Sequence, residues 1–286
     1  MIGAPRLFLF GPGFSALALA SRLGAQGWSV AGTARDPGAC QRLESLGYVA
    51  VALDDPEAIV RAVEGADAVL ISAPPDEHGC PALKALSPAL IGGARPGWIG
   101  YLSTTGVYGD HGGRWVTETS ALTPLSIQGH RRVEAERGWL DLGGPAVSLF
   151  RLPGLYGPGR SAFDRLREGS ARRIVKPGQV FSRLHVEDLA AALEASIRRP
   201  RVAGVYNLCD DEPCPPQDVI AHAAALLGVA PPPQIAFDDA QISSASRRFF
   251  AENKRVSNAR AKAALGWRPM FPTYREGLAA ILAIGG

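Results

Sequence analysis

The chain has 286 residues, 47% hydrophobic and 20% charged, which suits one large α/β domain or two unequal lobes and excludes a disordered chain. Its 30 basic and 27 acidic residues leave a net charge of +3, too balanced for a nucleic-acid footprint. Four cysteines are too few for a disulfide scaffold, and no run of 18 apolar residues reads as a transmembrane helix.

The first 150 residues alternate short apolar runs with helical stretches. Strands are predicted at residues 7–10, 29–33, 49–52, 68–72, 98–103 and 146–152. Helices are predicted between them at 15–26, 39–46, 56–64, 81–90 and 129–140. Asp55-Pro56 is a good helix start, with a capping carboxylate and proline at the first helical position. Such βαβ alternation argues a parallel sheet covered by helices on both faces. Arg6, the apolar run 7–10 and Ala18-Leu19-Ala20 also match a signal peptide with an Ala-x-Ala cleavage site. Cleavage there would delete the first strand and the loop that follows it, so the chain reads as cytoplasmic, with reduced thiols.

After residue 152 the pattern loosens. Pro153-Gly154 and Gly157-Pro158-Gly159 punctuate a loop, and a basic helix carrying Arg165, Arg167, Arg172 and Arg173 is predicted to follow. An Ala-rich helix is predicted at 186–197, a strand at 204–208, a stiff connector at Pro231-Pro232-Pro233 and a last helix at 274–284. Residues 234–260 are polar with little periodicity.

The first strand runs straight into Gly11-Pro12-Gly13-Phe14-Ser15-Ala16, a G-x-G-x-x-A between a strand and a helix. Gly11 allows a tight turn, Gly13 lets the backbone approach a pyrophosphate, and Ala16 lets helix and strand pack closely. The helix N-terminus then offers free N–H groups to phosphates. The second strand ends in Thr33 and Ala34, where an NAD-binding chain would place an acid, and Arg35 follows at once. An arginine here pairs with a 2′-phosphate, which favours NADP over NAD; Asp36, at a tolerable spacing, is the counter-argument.

Further along, Leu102-Ser103-Thr104-Thr105-Gly106-Val107-Tyr108-Gly109-Asp110 resembles the S-S-x-x-V-Y-G-D segment of extended short-chain dehydrogenases/reductases, the NAD-dependent epimerase/dehydratase group. Arg151 to Gly159 resembles that family's R-x-x-x-x-Y-G-P-G, and Leu184-His185-Val186-Glu187-Asp188-Leu189-Ala190 its I-H-V-x-D-L-A. Val205-Tyr206-Asn207-Leu208 and Leu265-Gly266-Trp267-Arg268-Pro269 with Glu276-Gly277-Leu278 resemble its Y-N-V strand and its L-G-W-x-P…E-G-L ending. These segments, in order, span essentially the whole chain. The resemblance implies a Rossmann-type doubly wound parallel sheet over residues 1–152. It also implies a smaller substrate-binding lobe over 153–286, some of whose segments return to the sheet. The cofactor-binding set becomes Gly11, Gly13, Phe14, Ser15, Ala16, Arg35, Ala73 and Pro153.

In relatives a Tyr-x-x-x-Lys pair transfers the proton and holds the nicotinamide ribose. Aligned on that pattern, Gln128 replaces the tyrosine and Arg132 the lysine. Glutamine has no titratable proton, and arginine stays charged at any useful pH. Thr104 occupies the position that hydrogen-bonds the reacting oxygen. The catalytic candidates are therefore Thr104, Gln128 and Arg132. Tyr108, His185 and Tyr156 are further groups near the expected cleft, and His130 shares a helix with Gln128 but is expected to point elsewhere. Tyr108, Arg160, Arg183 and His185 are the substrate-lobe candidates, with Lys176 and Arg172 as additional cations for an anionic ligand. Lys254 to Asn258 is expected to close the cleft. Cys209 and Cys214 have no second pair at ligand spacing, so no metal is expected.

Two functional readings stay open, beside that of a structural protein with an empty loop. One is an NADP(H)-binding oxidoreductase or epimerase acting on a small carbonyl or sugar-like compound. The other is an NADP(H) sensor or partner-binding module without turnover. The partner expected is a small-molecule substrate, with no nucleic acid and no membrane; a homodimer is compatible with either reading.

Overall fold

The computed structural model describes residues 3–142 and 147–285, the side chains of Ala245 and Ser246 excepted. Through residue 142 the chain runs β1 (Arg6–Phe10), α1 (Phe14–Gly24), β2 (Ser29–Ala34), α2 (Pro37–Ser45), β3 (Val49–Ala52), α3 (Pro56–Glu64), β4 (Ala68–Ile71), α4 (Pro81–Ile91), β5 (Trp98–Thr104), β6 (Trp115–Val116) and α5 (Ile127–Leu140). Then come β7 (Val147–Leu152), β8 (Gly154–Tyr156), α6 (Ala162–Arg167), β9 (Arg173–Val175), β10 (Arg183–His185), α7 (Val186–Ile197) and β11 (Val205–Asn207). The chain finishes with α8 (Pro216–Leu226), β12 (Gln234–Ala236), α9 (Ser244–Phe250), β13 (Arg255–Val256), α10 (Ala259–Leu265) and α11 (Tyr274–Ala283). The predicted strand start at Ala146 lies outside the described residues.

Local signals write the helix starts. Asp36 and Asp55 each precede a proline, and each accepts a backbone N–H three residues on, from Ala39 at 2.8 Å and Ala58 at 2.9 Å. Ser126 opens α5 in the same way through the Gly129 N–H. Seven strands make one all-parallel sheet, in the order β11-β7-β5-β4-β1-β2-β3, the doubly wound arrangement expected from the sequence. The chain order reverses between β4 and β1, which opens a crevice at the carboxyl ends of the strands.

Apolar side chains cover both faces of the sheet. Leu19, Leu23, Trp98, Leu189 and Leu193 form one cluster; Ile59, Val63, Leu86, Tyr101 and Trp139 belong to the other. The run 7–10 that could also read as a signal peptide is β1, buried at the middle of this sheet. Pieces from beyond residue 152 complete the body, among them α10, whose Ala261 and Leu265 join the first cluster. β11 lies along β7, with Tyr206 opposite Phe150. α7 packs on α1, where Glu194 pairs with Arg22 at 2.5 Å, and Ser196 Oγ accepts from Trp98 Nε1 at 2.9 Å.

The remainder forms a smaller lobe. β8 pairs with β10 and β9 with β12, over a core that includes Phe163, Ile220 and Leu278. β13 pairs with β6 and fastens this lobe to the loop that follows β5.

The predicted basic helix does not extend to Arg173. α6 stops at Arg167, Gly169 takes a φ of 67°, and Arg173 lies in β9. A left-handed glycine is a common helix stop, and it separates the arginines into different elements. Residues 234–260 hold β12, α9 and β13, each too short to show a period. α8, unannounced in the sequence reading, has an Ala-rich run with little contrast between its faces.

Candidate functional site

β1 ends at the crevice, and the chain turns there on Gly11, whose φ is 82°. A Cβ on Gly11 would lie 2.8 Å from both the Cβ and the N of Ala73, just beyond β4, so only glycine fits. The Gly11 N–H donates to Thr33 Oγ1 at 2.9 Å, which ties the loop to the end of β2. Gly13 is exposed, with open space where a Cβ would be, so the backbone can be approached closely. α1 then begins at Phe14 with no side-chain cap and no acidic residue in its first turn. Ala16 is fully buried against the sheet. This cradle of backbone, positive dipole end and small residues fits a dinucleotide pyrophosphate.

Beyond β2 the two rival groups differ in what they already hold. Asp36 Oδ1 is engaged in capping α2. Arg35 is exposed and makes no hydrogen bond or ion pair among the described residues.

Thr104 ends β5, and its Oγ1 accepts from the Gly106 N–H at 3.1 Å, which leaves its own O–H available to donate. Register pairing sets Thr104 beside Leu152, so Pro153 follows at the neighbouring strand end. Gly129 of α5 packs against Gly106, where a Cβ would meet Gly106 O at 3.1 Å, bringing the first turn of α5 beside Thr104. Gln128 is exposed on that turn, and so is His130. One turn further, Arg132 donates to Leu102 O and lies 5.9 Å from the centre of the Tyr101 ring. Burial pushes the Tyr101 phenol well above its usual range.

A buried network underlies this corner. Arg151 pairs with Glu136 at 2.7 Å, Ser103 Oγ donates to Glu136 at 2.5 Å, and Tyr108 Oη accepts from Arg151 at 3.0 Å. The Tyr108 hydroxyl in turn donates to Asn207 Oδ1 at 2.7 Å. Tyr108 has no exposed surface, so the expected substrate contact is corrected: its hydroxyl is a strut between β7 and β11. The Glu136–Arg151 pair went unnoticed in the sequence because neither residue announces which charge it meets.

The second lobe also redistributes its candidates. His185 is buried; its Nδ1 accepts from the Glu187 N–H at 3.2 Å, and its ring meets Tyr156 and Phe271 edge-on. Burial lowers its pKa to about 4, which leaves it neutral near pH 7. Tyr156 turns its hydroxyl into the lobe against Gly277. Arg183 donates to Phe181 O at 3.1 Å and to Cys214 Sγ at 2.7 Å, so the guanidinium expected to face a substrate anion is engaged within the lobe. Lys176 donates to Phe250 O, and Arg172 is exposed beside its own loop carbonyls. Arg160, by contrast, lies over the Phe14 ring. Lys254 donates to Gly109 O at 2.8 Å, and the Asn253 N–H donates to Asp110 Oδ1 at 2.7 Å, so this segment runs along the loop after β5.

Sequence reasoning passed over Asp210. It is 1% exposed, and among the described residues neither carboxylate oxygen has a hydrogen-bond partner of good geometry. Burial raises its pKa to about 8, with the nearby Arg183 opposing. Among the described residues no group of three His, Cys, Asp or Glu could hold a metal ion.

No family model matches the chain. Protein YeeZ of Escherichia coli (strain K12) is 30% identical over 243 residues, covering 79% of this chain and 85% of that one. A conserved protein of unknown function from Silicibacter pomeroyi is 45% identical, with a TM-score of 0.90 over 98% of this chain and 99% of that one. A human epimerase family protein solved with NADPH shares the fold, at TM-score 0.80 and 20% identity, over 97% of this chain and 99% of that one. The chain belongs to one family with protein YeeZ and shares its Rossmann-type fold with the human epimerase family protein, and Gln128 and Arg132 stand at the Tyr and Lys positions of the motif that its sequence resembles.

Proposed function

We propose that the protein is an NADP(H)-dependent oxidoreductase or epimerase of the cytoplasm, acting on a small carbonyl or sugar-like compound without a tyrosine acid. The observation that carries the cofactor choice is the contrast after β2: Asp36 is committed to a helix cap, and Arg35 is exposed and unpaired among the described residues. A guanidinium there suits a 2′-phosphate, and the alternative ribose acid is occupied. The NADPH found with the human relative supports the same reading.

A bound nicotinamide would supply or accept a hydride. The chain's own residues then have to manage charge on the reacting oxygen. Thr104 can donate its O–H to that oxygen, and Gln128 can add an amide donor. Arg132, with one nitrogen on Leu102 O, holds a positive charge close to the strand end and keeps further N–H donors for ribose hydroxyls. Neither Thr104 nor Gln128 carries a group that titrates near pH 7, so water is left to supply the proton.

Gln128 also favours the second reading, a dinucleotide sensor without turnover, because a titratable group is missing at that position. A fluorescence titration with NADPH and NADH in parallel tests the proposal. Arg35→Ala is expected to weaken NADPH about tenfold or more and to leave NADH unchanged. Equal losses for the two cofactors would overturn the assignment of Arg35. Turnover of a carbonyl panel by the wild type decides against the sensor; turnover confined to a Gln128→Tyr/Arg132→Lys double variant decides for it.

A further inference from the structure

Arg160 differs from the nearby cations that are also candidates for an anionic ligand. Arg172, Lys176 and Arg183 each donate to a backbone carbonyl, whereas the Arg160 guanidinium has no hydrogen bond or ion pair among the described residues. Its Cζ lies 5.3 Å from the centre of the Phe14 ring. Phe14 is the first residue of α1, directly after Gly13.

The backbone sets this meeting. Gly157 and Arg160 close a tight turn with reciprocal N–H to O bonds of 3.2 and 3.0 Å. A Cβ on Gly157 would lie 2.7 Å from Val186 Cγ1 and 3.2 Å from Phe14 Cζ, so the turn packs against the ring of the residue that follows the phosphate loop. A tip of the second lobe thereby carries a cation to the rim of the dinucleotide cradle. Attraction to the ring face biases the guanidinium's position without using its N–H donors. Nothing in the first turn of α1 neutralises it, since no acidic residue lies there.

We propose that Arg160 clamps the pyrophosphate of the dinucleotide from the second lobe, so that cofactor binding ties the two lobes together. The inference rests on the dinucleotide reading above and assigns Arg160 to the cofactor in place of the substrate anion. A guanidinium can grip two phosphate oxygens at once through charge-assisted hydrogen bonds.

The test measures binding, not turnover. Pyrophosphate is common to both cofactors, so Arg160→Ala is expected to weaken NADPH and NADH alike, by about tenfold. Arg160→Lys, which keeps the charge and loses the fork, should recover part of that loss. Arg35→Ala in the same titration should weaken NADPH alone. Amide hydrogen exchange should slow across residues 157–160 when NADPH is added to the wild type, and not in Arg160→Ala. Wild-type affinity for both cofactors in Arg160→Ala would overturn the clamp and leave the dinucleotide reading standing. Failure of the wild type to bind either cofactor would overturn both. Arg160 is exposed and, its ring contact aside, has no hydrogen bond or ion pair among the described residues, so the variants should melt close to the wild-type temperature without ligand.

Discussion

Gly11 shows how far a single position can be read from sequence. Its place between strand and helix marked it as a turn, and the structure adds a φ of 82° and the close approach to Ala73. Gly11→Ala should therefore cost about 1–3 kcal/mol in urea unfolding and abolish dinucleotide binding; an unchanged midpoint would contradict the strain argument. Tyr108, Tyr156 and Arg183 were less legible. Each lies in a motif that borders the cleft, but direction is fixed by a distant partner: Asn207 for Tyr108, Gly277 for Tyr156, Cys214 for Arg183. A motif gives a residue's neighbourhood along the chain, and the side chain's aim depends on contacts far away in sequence.

At the scale of elements, legibility follows length and capping chemistry. α3 and α7 occupy the predicted residues, the first behind an Asp-Pro start and the second through its apolar run. The same Asp-Pro signal stands at Asp36-Pro37, and the helix there begins two residues before its predicted start. The cap and the ribose contact considered for Asp36 separate experimentally. Asp36→Ala should lower unfolding free energy by about 1 kcal/mol and leave NADH affinity unchanged; a loss of NADH binding would return Asp36 to the cofactor. Apart from β11, the two- and three-residue strands β6, β8, β9, β10, β12 and β13 carry no period of their own. They exist because a partner strand meets them, so no local reading finds them.

Across the whole molecule, buried acids and a buried histidine set the pH response. Asp210 has its pKa raised from 3.8 to about 8, so the folded state holds a proton that the unfolded chain has released, and stability falls as pH rises towards 8. Asp188, raised to about 6, acts with the same sign but is spent by that pH. His185, lowered from 6.5 to about 4, has the opposite sign: its contribution is complete above 6.5 and lost as pH falls through 4. Between pH 6.5 and 8 only the Asp210 contribution among these still changes. Urea unfolding should show the wild type losing about 1–2 kcal/mol across that interval, and Asp210→Asn should flatten the decline. The same slope in both proteins would remove Asp210 as its cause. The position of β11 has a consequence for synthesis. Its partner β7 ends at residue 152, and the strand that covers it ends at residue 207. As the chain leaves the ribosome, the sheet therefore keeps a hydrophobic, unpaired border for some fifty residues of translation, the interval in which a nascent chain is most in need of a chaperone.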